Sequence, residues 1–115
     1  MTVTAASAVL IRERVLSVDG VADLHAGTFG EIATHLPGRR VNGVRVGRSG
    51  VEIHVVTYLD VDVAGVARNV RAAAVSAAPG AIGYTVVVED VVARQDFRVA
   101  VADSGRGTFT ETSQL

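Results

Sequence analysis

An α+β fold in one small domain is what this sequence predicts, on three observations. Apolar residues recur every three to four positions near the N-terminus and again after residue 62, the period of a helix packed along one side. Elsewhere they alternate with polar residues or run on in Val-rich segments, the pattern of strands. The chain has 115 residues, 49% of them apolar, and a formal charge of -1, which is enough for one core and far from the composition of disordered chains. The expected order is helix, strand, strand, helix, strand, with a three-stranded mixed sheet carrying both helices on one face.

The first helix rests on Ala8, Ile11, Val15 and Val18, with Arg12, Glu13 and Arg14 between them and Thr4 or Ser7 placed to cap its start. Gly20 follows the last periodic residue, where a left-handed residue closes a helix, and Val21 then packs back. From Ala26 to Asn42, Phe29, Ile32, Ala33 and Leu36 have the spacing of a short helical turn, stopped by Pro37-Gly38. Val44 and Val46, a turn at Gly47-Arg-Ser-Gly50, then Val51, Ile53, Val55, Thr57 and Leu59 make a β-hairpin. Its second strand carries Glu52, His54, Val56 and Tyr58 on the opposite face, so only one side of the sheet is expected to be covered.

Asp60 or Asp62 can cap the second helix, whose stripe is Val63, Val66 or Ala67, Val70 and Ala74, with Arg68 and Arg71 facing water. Ala78-Pro79-Gly80 ends it, and Tyr84 to Val92 is the third strand. Strand, helix and strand here form a crossover unit, so the last two strands run parallel. Phe97, Val99 and Val101 alternate beyond it and suit an extra C-terminal strand or a partner-pairing arm. The expected division is a domain over 1–103 and a flexible Gly, Ser and Thr-rich tail over 104–115.

Composition narrows the function classes. A charge near zero supplies no global field to draw in nucleic acid or an anionic membrane, so such binding needs a local patch. With no cysteine there are no disulfides, thiolate metal sites or cysteine nucleophiles. The first residues lack a basic n-region and their apolar run is cut at Arg12, so neither a signal peptide nor a span is expected and the protein reads as cytoplasmic. All eleven basic side chains are Arg.

The residues that carry chemistry elsewhere have simpler readings here. His25, His35 and His54 are spaced too irregularly for a metal centre and read as solvated or hydrogen-bonded. The pairs Asp19 with Asp23 and Asp60 with Asp62 suit turn and helix starts better than paired acid catalysis. No serine lies in a Gly-x-Ser-x-Gly elbow. Gly27-Thr-Phe-Gly30 matches a Gly-x-x-Gly loop in form but carries no basic residue between its glycines. No catalytic residue, metal, cofactor or small-molecule substrate is therefore expected.

Several segments in order carry a family likeness: Val18-Asp-Gly-Val-Ala-Asp-Leu24, Gly27 and Gly30 followed by Ile32, and the hairpin entry Gly43-Val-Arg-Val. Further along come Val51-Glu-Ile-His-Val-Val-Thr-Tyr, the helix Val66-Ala-Arg-Asn-Val70 and the strand Tyr84-Thr-Val-Val-Val. Together, over roughly residues 5 to 93, they resemble the alkaline shock protein family, also called Gls-type envelope stress response proteins. The resemblance implies a small bacterial cytoplasmic protein linked to cell-envelope homeostasis, self-associating and often membrane-associated through a partner. It implies no catalytic residues. The chain departs from the family in using Arg where Lys is usual and in its extension after Val92.

These readings converge on a non-enzymatic stress-response scaffold that forms a homo-oligomer or docks to a membrane-anchored protein. The expected interaction surface is Arg39, Arg40, Arg45, Arg48, Glu52, His54 and Tyr58, on the hairpin and the uncovered strand face. The alternative is a weak nucleic-acid or anion-binding module in which Arg39, Arg40, Arg45 and Arg48 converge on phosphate.

Overall fold

The computed structural model describes residues 3–94. Its elements are α1 (Ser7–Leu16), β1 (Val21–Leu24), β2 (Ala33–Leu36), β3 (Arg39–Asn42), β4 (Val44–Gly47), β5 (Gly50–Tyr58), α2 (Val63–Ala77) and β6 (Tyr84–Val92). The α+β class holds, as do both helices, the hairpin of β4 and β5, and the final strand. The segment around Phe97 and the tail over 104–115 lie outside the described residues.

β5 is the axis of the sheet. On one edge it pairs with β4 along its first half, from Val46 opposite Val51 to Val44 opposite Ile53, and with β1 along its second half, both antiparallel. On the other edge β6 runs parallel to it, from Val51 opposite Tyr84 to Tyr58 opposite Val92. That is the direction expected of a strand, helix, strand crossover. β4 and β1 meet end to end opposite His54, whose backbone N–H donates to the Gly43 carbonyl at 2.9 Å while its carbonyl accepts from His25 N–H at 2.8 Å.

Both helices pack on one face and share a single core. α1 contributes Ala8, Ile11 and Val15, α2 contributes Val66, Val70 and Ala74, and β5 contributes Val51, Ile53 and Val55. β-branched side chains fill this layer because they lose little freedom on a pleated strand. The turn after α1 passes close to α2 at Gly20, which has φ +97°; a Cβ there would lie 2.6 Å from Val66 Cγ2. Glycine is required at this position twice over, by conformation and by space.

Three expectations are corrected. Residues 26–42 hold no helical turn: Ile32, Ala33 and Leu36 have helical spacing, but β2 and β3 pair as an antiparallel hairpin about Pro37-Gly38, with Ala33 opposite Asn42 and Leu36 opposite Arg39. What decides it is a long-range contact. The buried Thr34 hydroxyl donates to the Val44 carbonyl at 2.6 Å and accepts from Val46 N–H at 3.2 Å, fastening the hairpin along the outer edge of β4. Val21 to Leu24 is likewise a strand, not only a packed return, because β5 offers it an edge, so the main sheet has four strands where three were expected, and β2 with β3 make a second, two-stranded sheet.

The caps also differ. Ala6 precedes α1 with no side-chain cap, and Ser7 Oγ instead accepts from Thr4 N–H at 3.4 Å. Asp62 does precede α2, but its carboxylate makes no capping bond; it leans over Gly65 and lies 4.0 Å from Arg68.

Candidate functional site: a charged row on the outer sheet face

Alternation along β5 sends Val51, Ile53, Val55 and Thr57 to the helix side and leaves Glu52, His54, Val56 and Tyr58 on the other face. Register brings Arg45 of β4 directly opposite Glu52. β6 adds the fourth member through a bulge: Val55 faces Val88 and Val56 faces Asp90, so Glu89 is the extra residue between them.

The outcome is a row of four ionisable side chains spanning three strands. Arg45 Nη2 lies 2.5 Å from Glu52 Oε1, Glu52 Oε2 lies 2.7 Å from His54 Nε2, and His54 Nδ1 lies 2.5 Å from Glu89 Oε2. His54 is only 7% exposed although it stands on the face without helices. Both its ring nitrogens lie within hydrogen-bond reach of carboxylate oxygens, Nε2 of Glu52 and Nδ1 of Glu89.

Glu52 is held below the ordinary carboxylate range, chiefly by the hydrogen bond from His54; burial opposes this, and Arg45 adds to the lowering. Glu31, in the loop between β1 and β2, is lowered too. Its carboxylate accepts from the N–H groups of Glu31 and Phe29, with His54 and Arg45 adding favourable charge. The loop starts next to the row, since His25 N–H at its head donates to the His54 carbonyl at 2.8 Å.

Around the row the face is partly apolar. Farther along β5, the Arg94 guanidinium sits 4.0 Å over the Tyr58 ring, and its Nε donates to Asp60 Oδ2 at 3.1 Å. At the other end, a shallow depression of about 290 Å³ lies beside Arg45, Ser49, Glu52 and Thr85.

Of the seven residues expected to form a surface, Arg45, Glu52, His54 and Tyr58 are brought to this face. The other arginines are distributed elsewhere: Arg39 and Arg40 lie exposed on β3, and Arg48 on the turn between β4 and β5. Two of the four guanidiniums are already engaged by the chain itself, Arg45 by Glu52 and Arg40 by the Gly30 carbonyl. Glu89 is the member that sequence reasoning missed. With Tyr84, Val86 and Val88 toward the core, alternation along β6 turns Glu89 outward, but the Val-rich run hid that alternation and only the register of β6 against β5 sets Glu89 beside the histidine.

His25 and His35 do not join the row. His25 Nδ1 accepts from Gly27 N–H at 2.9 Å, and His35 is exposed on β2. Among the described residues, no group of three or more His, Asp and Glu is arranged to hold a metal ion. Nor is any helix among them long and apolar enough to cross a membrane. Comparison with protein-family models, curated proteins and solved structures finds no match for this chain.

Proposed function

We propose that this chain is a non-enzymatic interaction module of the envelope stress response kind, which self-associates or docks onto a membrane-linked protein through its outer sheet face. One observation carries the reading: the Arg45, Glu52, His54 and Glu89 row is internally paired. A catalytic base needs a ring nitrogen or carboxylate turned toward a substrate, whereas here the polar groups are spent on one another. A paired row of this kind gives a fixed pattern of charge, which serves recognition and the rejection of wrong partners. Tyr58 on the same face is of the type that anchors interfaces. The resemblance to alkaline shock proteins supports the same direction.

The test is affinity purification of the tagged full chain from a bacterium that makes it, with membrane and soluble fractions analysed separately, beside sedimentation of the pure protein. A specific protein partner or a defined oligomer is expected, and Tyr58→Ala and Arg45→Glu should each weaken it. A strict monomer from micromolar to millimolar concentration, with the same captured proteins for wild type and both variants, would overturn the reading.

A further inference from the structure

The loop between β1 and β2 spends much hydrogen bonding to display one aromatic ring. Phe29 is 90% exposed. Its own N–H donates to Glu31 Oε1 at 3.0 Å, Gly30 N–H donates to the Gly27 carbonyl at 3.1 Å, and Ile32 N–H to the Ala26 carbonyl at 2.8 Å. From β3, Arg40 donates to the Gly30 carbonyl. Gly27, with φ +86°, lies so close to Glu31 that a Cβ there would fall 2.7 Å from its carboxylate. A loop tied at this many points has already lost the freedom that binding would otherwise cost, which is the condition under which an exposed ring adds most to affinity.

A receptacle of matching size exists on the same chain. Beside the turn between β4 and β5, a shallow groove of about 180 Å³ is lined by Val3, Val46, Val51, Ala81 and Ile82, with Arg48 at its rim. A cavity of about 150 Å³ is large enough to hold benzene. Ile82, on the groove wall, is 87% exposed, a second large apolar side chain left in water.

Ring and groove lie apart on one molecule. The loop leaves β1 at His25, whose N–H donates to the carbonyl of His54 midway along β5, whereas the groove lies at the turn between β4 and β5, with Val46 and Val51 on the helix side of the sheet. Their charges are complementary: Glu31 adjoins Phe29, and Arg48 adjoins the groove.

We infer that Phe29 of one molecule seats in the Val46, Val51 and Ile82 groove of a second copy, with Glu31 facing Arg48, so that this protein associates head to tail. The inference deepens the self-association branch of the proposed function and rests on it. Two different patches make the contact heterologous, so each molecule keeps a free ring at one end and a free groove at the other, and assembly continues past the dimer. The contact is small, so association is expected to be weak and concentration-dependent, as for encounters below the standard interface size.

The experiment is analytical ultracentrifugation of the full chain over a wide concentration range, with wild type, Phe29→Ala, Ile82→Glu and Arg48→Glu compared. Phe29 and Ile82 are exposed, and circular dichroism confirms that each variant folds. Wild type is expected to grow beyond dimers, Phe29→Ala and Ile82→Glu to weaken association about tenfold or more, and Arg48→Glu less, in a salt-dependent way.

Mixing gives the decisive measurement. Phe29→Ala retains its groove and Ile82→Glu its ring, so the two together should form one-to-one dimers that neither forms alone and that grow no further. An oligomeric wild type left unchanged by these variants overturns the head-to-tail contact while self-association stands. A monomeric wild type that still captures a membrane-fraction protein overturns the contact and leaves the docking branch of the proposed function. A monomeric wild type with no captured partner overturns both.

Discussion

The two faces of β5 are built from alternate residues of one nine-residue strand and are held by different physics. On the helix side, Val51, Ile53, Val55 and Thr57 are buried against both helices, an attraction that depends on area and volume and hardly on direction. On the outer side, Glu52 and His54 are held by short, directional, charge-assisted bonds to Arg45 and Glu89. The same strand thus supplies stability on one face and a fixed pattern of charge on the other. A protein divided in this way can alter its outer face with modest loss of stability, while its core resists change.

That contrast is open to direct test. The largest effect is expected from Ile53→Ala, which empties a fully buried site in the middle of the core and should cost about 2–5 kcal/mol in denaturant unfolding. If the loss stays below about 1 kcal/mol, the helix-side layer is not the main source of stability. His54→Ala removes the residue that, among the described ones, touches both carboxylates, and a smaller loss of about 1–3 kcal/mol is expected, because Glu52 and Glu89 are partly exposed and can turn to water. A loss as large as that of Ile53→Ala would erase the distinction between the faces.

Thr57 tests the core face in the opposite sense. It is fully buried, and its hydroxyl has no hydrogen-bond partner among the described residues. Thr57→Val keeps the shape and removes the orphan, so a gain of about 1 kcal/mol is expected in the midpoint of urea unfolding. A loss would show that the hydroxyl is satisfied in solution. The smallest change should come from Arg45→Gln, at most about 1 kcal/mol, since the pair with Glu52 is half open to solvent and screened by salt.

Acid sharpens the comparison from another side. The Glu52 carboxyl is lowered in the folded chain, first by His54 and then by Arg45, so folding releases its proton more readily than the unfolded chain does. The stability this supplies is fully present above the unfolded value, about 4.3, and is lost as pH falls through the lower folded value. In urea titrations from pH 5 down to pH 2, wild type should lose more stability than Glu52→Gln. Parallel curves would mean that the row does not contribute to acid resistance.

Which parts of this fold were readable in advance follows from the range of the interactions that set them. α1, α2, the β4 and β5 hairpin and β6 each repeat a local period over enough residues to announce themselves, and the parallel course of β5 and β6 follows from the helix between them. The alternation of β5 also named Glu52, His54 and Tyr58 as one face. β4 is as short as β1, β2 and β3, four residues each, but it is joined by the Gly47 to Gly50 turn to the nine-residue β5, whereas the other three have no long alternating partner beside them in the sequence, and Ile32, Ala33 and Leu36 imitated a helix until Thr34 found the backbone of β4.

The candidate site divides in the same way. Arg45 beside Glu52 is a consequence of hairpin register and was implicit in the turn at Gly47 to Gly50. Glu89 beside His54 is not, because it depends on the register between two strands whose contacting residues lie thirty-five positions apart, and neither is the burial of His54. Local order was written in the chain through periodicity and turn chemistry, which act between near neighbours. Pairing across the sheet, the fastening of the short hairpin and the completion of the charged row waited on contacts between distant residues, which no local pattern encodes.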